Sequence, residues 1–518
     1  MESSPALTAN ARRVAADGST RAVTLPLYGA ALGSGVLIAL CFLRFELFPV
    51  AWVAFVPLLW ALGRVGSARQ AAAVGVVAGL ATNLPAFYWL VYTIHVFGGF
   101  GVLLSTFFYV SLTLFTSTQF VLFALGLWRT GPGPLGLAAP LVWVSLEFLF
   151  PQLFPWRLAH SQWHVPVLLQ VGDLTGPFAL SFAMLWVAAG LVALVGRPRR
   201  WGPLAAGLAM TAAIVVYGAV RLPQIDAAVQ AAPAVRVGLV QGNIGIKEKG
   251  DIRYFDINVD TYRRLTAAAQ DSADFLVWPE TVQQVWIPAD AVWLDAKTHP
   301  FEGLRRPLIF GSLAYRLRGL RDADELNSAF IVGPDSRVLG RYDKRILMPF
   351  GEYLPFADSF PAIKALSPMT GGYTAGQSVA IFDVPGKAKI GQLICYEDLL
   401  SGMVRDTTRA GAEVLATILN DAWYGDTAAP HQHQALALWR TVENRRYLVR
   451  ASNSGVTSII DPAGRVTAEG GMFRAEVVAG TVHPLRIETL YTRYGDGFAW
   501  AVVVTAVGLL LVAGRTKT

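Results

Sequence analysis

Three side chains of the 518-residue sequence stand at positions where they can do chemistry together. Glu280 closes the run VWPE (277–280), Lys344 lies in YDKRILMPFGEYLP (342–355), and Cys395 closes the strand-like part of LICYED (393–398). A thiol becomes a strong nucleophile when a base removes its proton and nearby positive charge holds the thiolate. Glu280 has the chemistry of that base. Lys344 can stabilise the negative charge that builds on a carbonyl oxygen under attack, with the backbone N–H after Cys395 as a second donor. Each residue alone is commonplace, and their joint occurrence is the signal. The chain has only two cysteines, too few for a disulfide framework. Cys41 falls in an apolar run where a small thiol is packing material, so Cys395 is the lone thiol of its own region.

The elements that must position these groups follow from the pattern after residue 235. VRVGLVQ, DFLVWPE, PLIFGSL, SAFIVGP, KIGQLICYE and EVLATILND read as buried strands ending in polar or turn residues. Helices are expected over 256–270, 400–410 and 430–446, with later strands in RYLVRASN and VTSIIDPAG. This is an α/β layered domain, in which chemistry gathers beyond the carboxyl ends of strands. Glu280, Cys395, Asn420 and Asp421 all fall at such ends, and the Lys344 segment reads as an ordered loop.

The rest of the chain has a different solvent. Mean hydropathy is +0.44 and only 15% of residues are charged, far below the roughly 25% of ordinary soluble domains. Stretches of about 20 apolar residues suffice to cross a bilayer. About eight candidates are expected: 25–43, 47–63, 70–92, 98–127, 134–150, 167–195, 202–221 and 498–514. The division is a segment 1–24, a helix bundle 25–221 of about seven spans, a soluble domain 222–497, a last span 498–514 and a tail 515–518. Arg12, Arg13, Arg21, Arg64, Arg69, Arg129, Arg197, Arg199, Arg200, Arg515 and Lys517 fall on one side, against Arg44 and Arg157 in the other short loops. That bias puts both termini in the cytoplasm and the soluble domain outside. Much of the excess behind the net charge of +7 sits in short arginine clusters flanking the apolar runs, so it argues for topology and not for nucleic acid. Glu147, inside a span, is either functional or a partner for a nearby arginine.

VWPE, YDKRILMPFGEYLP, LICYED and NDAWYGDTAAPHQHQ (420–434), continued by RTVENRRYLVRASNSGVTSIIDPAG (440–464), resemble the nitrilase, or carbon-nitrogen hydrolase, superfamily. With the flanking spans the resemblance is to its membrane branch, the apolipoprotein N-acyltransferases. It implies an αββα sandwich with Glu280 as general base, Lys344 as stabilising cation and Cys395 as nucleophile. Glu352, Tyr396, Glu397 and Trp423 match supporting positions. The implied reaction is a two-stage acyl transfer. A glycerophospholipid acylates Cys395 as a thioester, and the α-amine of a diacylglyceryl-modified N-terminal cysteine of a lipoprotein then takes the chain. No cofactor or metal is implied, and the implied location is the bacterial inner membrane with the catalytic domain on the periplasmic side.

One position departs from the family pattern: after QGNI the family carries a Lys-Trp pair, whereas Gly250 stands here where the tryptophan is expected. His431 and His433 suggest either a proton relay or polar residues at a helix start. The segments 286–294 and 354–373 suggest lids or packed loops. Two rival functions use the same sequence: a membrane-anchored amidase, with water as the acceptor, and a lipid-binding scaffold without catalysis.

Overall fold

The computed structural model describes residues 25–515 except 44, 132–134, 197–198, 250–251, 296–297, 299–302, 320–321, 350, 354–358 and 360–371. The expected N-terminal segment, residue Gly250 and most of the 354–373 segment therefore lie outside the described residues.

Two sheets form the soluble domain. The first runs β13-β1-β2-β4-β5-β6, with β3 pairing β4; the second runs β12-β11-β10-β9-β8-β7. In chain order the strands are β1 Val235–Gln241, β2 Phe275–Val277, β3 Gln283–Pro288, β4 Leu308–Leu317, β5 Ala323–Val332, β6 Val338–Asp343, β7 Ile381–Val384, β8 Ala388–Ile394, β9 Val414–Leu419, β10 Tyr447–Ser452, β11 Ser458–Ile460, β12 Val466–Glu469 and β13 Glu476–Val482. Both sheets are mixed: β1 is parallel to β2 and antiparallel to β13, while β10 is parallel to β9 and antiparallel to β11.

Strand periodicity explains the layering, because successive side chains point to opposite faces. Val235, Val237 and Leu239 of β1 join Val414, Ala416 and Ile418 of β9 in the core between the sheets. Phe310 and Phe330 turn the other way and pack with Tyr262 of the helix Phe255–Ala269. On the far side Leu415 and Leu448 pack with Leu436 and Trp439 of the helix Ala429–Asn444. The order is helix, sheet, sheet, helix.

That second helical layer is shared with the bundle. The apolar cluster holding Leu436 and Trp439 continues into Phe55, Phe120, Phe123 and Trp143. Every residue of the helix Ala429–Asn444 except His431 is buried, since one face meets the sheet and the other meets bundle helices. Gln432 satisfies two carbonyls at bundle helix ends, donating to Phe42 O at 3.2 Å and Ala86 O at 3.1 Å, while its own oxygen accepts from Trp89 Nε1 at 3.0 Å. Arg445, fully buried, donates to Asp173 at 2.7 Å, and Asp173 also takes Arg221 at 2.8 Å. An ion pair removed from water this completely holds only with such complete partnering.

Among the described residues four bundle helices are long and apolar enough to cross a membrane: Leu25–Leu43, Val102–Thr130, Phe178–Val195 and Gly202–Ala231. A fifth results if Ala68–Ala86 and Leu90–Gly98, bent by 56°, count as one span. The remaining expected spans differ. Leu47–Leu62, Gly136–Leu149 and Gly497–Ala513 are shorter apolar helices. The stretch 167–195 breaks into Pro166–Leu169, Gly172–Thr175 and Phe178–Val195, with Gly176 at φ +63° between the last two. Pro85 sits just ahead of the 56° bend, where a missing N–H weakens the helix. The last helix before the soluble domain runs on to Ala231, past the apolar stretch expected to end at 221. Glu147 is fully buried and accepts from Trp143 Nε1 at 2.8 Å and the Leu158 N–H at 2.7 Å, so it pins the loop that follows its helix.

Candidate active site

Lys344 follows β6 and is 2% exposed. An ammonium this deep needs opposite charge, and two carboxylates supply it. Lys344 Nζ lies 3.2 Å from Glu280 Oε1 and 2.9 Å from Glu352 Oε2. Asn327 on β5 joins them, its amide donating to Glu280 Oε1 and to Glu352 Oε1, each at 2.7 Å. Its backbone carbonyl also accepts from the Lys344 N–H at 2.9 Å. Burial alone would push the Lys344 ammonium down, but the charges of Glu280 and Glu352 outweigh it and hold the group well above the ordinary lysine value. It is a fixed cation.

Glu280 reaches this cluster from the turn after β2. Gly311 on β4 makes the approach possible, because a Cβ there would strike Thr281 N and Glu280 Cα. The Gly311 N–H donates to Pro279 O at 3.1 Å.

Cys395 follows β8 directly, at φ +51°, and starts the 3-10 helix Cys395–Leu399. A non-glycine residue in the left-handed region costs on the order of 1 kcal/mol, and here the turn swings the thiol out of the strand line. Glu280, Lys344 and Glu352 all lie within electrostatic reach of the sulfur. Burial, and next the Glu280 charge, push the thiol well above its ordinary value, with Lys344 opposing them. A thiol held protonated in this way needs a base before it can act as a nucleophile.

Glu397 braces this corner. One of its oxygens accepts from the Arg345 N–H at 2.6 Å and the Ile346 N–H at 3.0 Å; the other accepts from the Ile394 N–H and the Tyr342 hydroxyl, both at 2.8 Å. It thus joins the Lys344 loop to the Cys395 turn. Tyr396 instead faces the bundle and donates to Leu153 O at 2.6 Å. Trp423 packs edge-on against Phe97, at 4.5 Å between ring centroids. Phe97 belongs to the bent bundle helix Leu90–Gly98 and also presses on Gly351. The bundle therefore supplies part of the wall around Glu352 and Trp423.

Sequence reading did not single out Asn327 or Lys249. Asn327 and its neighbour Ser328 are the polar residues of the otherwise apolar, fully buried half of β5, and that anomaly was its available signal. His433 is fixed by two carboxylates, Asp398 at 2.8 Å and Asp421 at 3.1 Å, so both its ring nitrogens are already occupied. Among the described residues no group of three or more His, Cys, Asp or Glu has a metal-binding arrangement.

Comparison with known proteins matches both parts of the chain. The apolipoprotein N-acyltransferase N-terminal domain model covers residues 34–190, and the carbon-nitrogen hydrolase model covers residues 227–491. The apolipoprotein N-acyltransferase of Geobacter metallireducens is 35% identical over 510 residues, 95% of this chain and 96% of that one. The chain belongs to the apolipoprotein N-acyltransferases. The Bradyrhizobium diazoefficiens apolipoprotein N-acyltransferase is 28% identical over 94% of each chain. A solved Saccharomyces cerevisiae member of branch 10 of the nitrilase superfamily aligns over 52% of this chain and 95% of its own, with 17% identity and a TM-score of 0.37. The soluble domain has the carbon-nitrogen hydrolase fold, as the resemblance implies, and the protein is an N-acyltransferase of the lipoprotein biosynthesis class.

Proposed function

We propose that the enzyme N-acylates the N-terminal cysteine of diacylglyceryl-modified lipoproteins, using a glycerophospholipid as acyl donor and Cys395 as the covalent carrier. The Cys395 sulfur attacks the ester carbonyl while Glu280 takes the thiol proton. Lys344 stabilises the tetrahedral oxyanion. The ester C–O bond then breaks, and Glu280 returns its proton to the departing lysophospholipid oxygen, leaving a thioester. In the second stage the lipoprotein α-amine attacks that thioester, Glu280 accepts the amine proton, and the sulfur leaves and is reprotonated. Amide formation from a thioester is downhill, so no further energy source is needed.

Glu352 and Asn327 hold the Glu280–Lys344 pair, and Glu397 keeps the Lys344 loop against the nucleophile. The observation that carries this reading is the burial of Lys344 between Glu280 and Glu352 within electrostatic reach of Cys395. Its setting supports a lipid donor, since bundle residues wall the site and the helix Ala429–Asn444 is buried between sheet and bundle. The topology that fits is a multi-pass inner-membrane protein of about eight spans with cytoplasmic termini. Its catalytic domain, residues 222–497, is periplasmic.

The test is a chase experiment with phospholipid labelled in its acyl chains and a synthetic diacylglyceryl-cysteine peptide bearing a free α-amine. Label in an amide on the peptide is expected. Label appearing as free fatty acid at the same rate with and without peptide would make the protein an amidase-like hydrolase, and no release from the donor would support a scaffold.

A further inference from the structure

Lys249 has no part in the chemistry above, yet it is nine-tenths buried beside it. It ends the short helix Ile246–Lys249 that follows β1. A buried ammonium is costly unless each of its protons finds an acceptor. Lys249 Nζ donates to the Glu280 backbone carbonyl at 2.9 Å and to Thr281 Oγ1 at 2.7 Å. With the Asn420 amide turned so that its oxygen faces its donor neighbours, that oxygen accepts from Lys249 Nζ at 3.2 Å and from Trp423 Nε1 at 3.3 Å. None of the three acceptors is a carboxylate.

The turn that Lys249 grips needs gripping. Thr281 stands at φ +46°, a left-handed conformation that a β-branched residue resists. On its other side the turn rests against the bare Cα of Gly311. The Glu280 carboxylate is therefore aimed by a strained two-residue segment clamped between β4 and one lysine. We infer that Lys249 is a positioning residue: through the Glu280 carbonyl and the Thr281 hydroxyl it fixes the direction of the Glu280 carboxylate, and through Asn420 it ties that turn to the Trp423 corner. Burial pushes the Lys249 ammonium down to about 8 against the pull of Glu280 and Cys395. A merely structural position here would be filled at lower cost by a neutral side chain.

This assignment rests on Glu280 being the base that takes the Cys395 proton. The test is a double-mutant cycle on the full chain in detergent, reading the rate at which iodoacetamide alkylates Cys395 at pH 7 in wild type, Lys249→Met, Glu280→Gln and the double variant. Misaiming a catalytic group by about 1 Å costs on the order of 100-fold, so Lys249→Met is expected to slow alkylation by about 10- to 100-fold. If Lys249 acts through Glu280, the double variant is no slower than Glu280→Gln alone. An unchanged rate in Lys249→Met, or effects that multiply in the double variant, overturns the inference. Should Lys249→Met fail to fold, Thr281→Val takes its place in the cycle, with Thr281→Ser, which keeps the hydroxyl, expected to be the faster of the two. Alkylation needs no lipid. A non-additive cycle in a protein that takes no acyl chain from phospholipid would leave this assignment standing and sink the acyl-transfer reading instead.

Discussion

The Glu397 carboxylate accepts the backbone N–H of Arg345 at 2.6 Å, so the residue two places after Cys395 holds the residue one place after Lys344. The two halves of the site, one from each sheet, are joined by that contact and by its companions to Ile346 and Ile394. Hydrogen bonds to an ionised acceptor are worth roughly 1.5–3 kcal/mol each. Replacing Glu397 with Gln turns an NH2 toward N–H donors that need an acceptor. Single-turnover acylation of Glu397→Gln is predicted to fall by about 100-fold, and a rate within a factor of two of wild type would contradict the bracing role.

Gly311→Ala tests the other wall of the site. The added Cβ meets backbone atoms of Glu280 and Thr281, which cannot swing aside as the end of a flexible side chain would. The predicted outcome is a folded protein whose Cys395 alkylation at pH 7 is slowed at least as much as in Glu280→Gln. Wild-type reactivity would mean that the Glu280 turn is not held by this contact.

Tyr396→Phe separates the domain contact from the chemistry. The Tyr396 hydroxyl donates to Leu153 O, and losing the donor leaves a carbonyl without its partner at a cost of about 1–3 kcal/mol. Denaturation is predicted to begin earlier, with protease cleavage rising first between bundle and soluble domain. Unaltered cleavage and midpoint would contradict this.

The pH dependence of stability should reveal His433. Burial would lower its pKa, but Asp398 and then Asp421 outweigh burial and Arg450 and raise it from 6.5 to about 9. A raised folded-state value means that the protonated ring stabilises the fold. That contribution is complete below about pH 6.5 and is lost as pH climbs through 9; linkage puts it on the order of 3 kcal/mol. The stability gap between wild type and His433→Asn should therefore narrow from pH 6.5 to 9. A constant gap would show that His433 is neutral in the folded protein. Taking the difference between the two proteins matters, because Lys249, whose value is depressed to about 8, changes stability in the opposite sense over part of that range.

Much of the soluble domain was readable because its strands alternate cleanly between two apolar faces. β1, β8 and β9 fall where VRVGLVQ, KIGQLICYE and EVLATILND place them. β13 was missed, since EVVAGTV is half-exposed and takes its strand form from pairing with β1 at the other end of the domain. β6 was missed for a similar reason: VLGRYD is mostly half-exposed and is held by β5. In the bundle, composition found the apolar stretches, and the length of 167–195 allowed for a break there, but neither told where the breaks fall, which depends on local residues such as Pro85 and Gly176. Glu280 and Lys344 stood out as strand-end or loop residues of the right chemistry, and Glu352 only through the family resemblance. Asn327, Lys249 and the bracing geometry of Glu397 were not, because their roles exist only once distant segments meet.

If Cys395 carries the acyl chain, intact-protein mass spectrometry of the purified chain after incubation with phospholipid, without an amine acceptor, detects it there. The predicted result is a mass gain of one acyl chain that maps to Cys395, is removed by hydroxylamine and is absent in Cys395→Ala. An adduct on another residue, or no adduct from a folded protein, would contradict it.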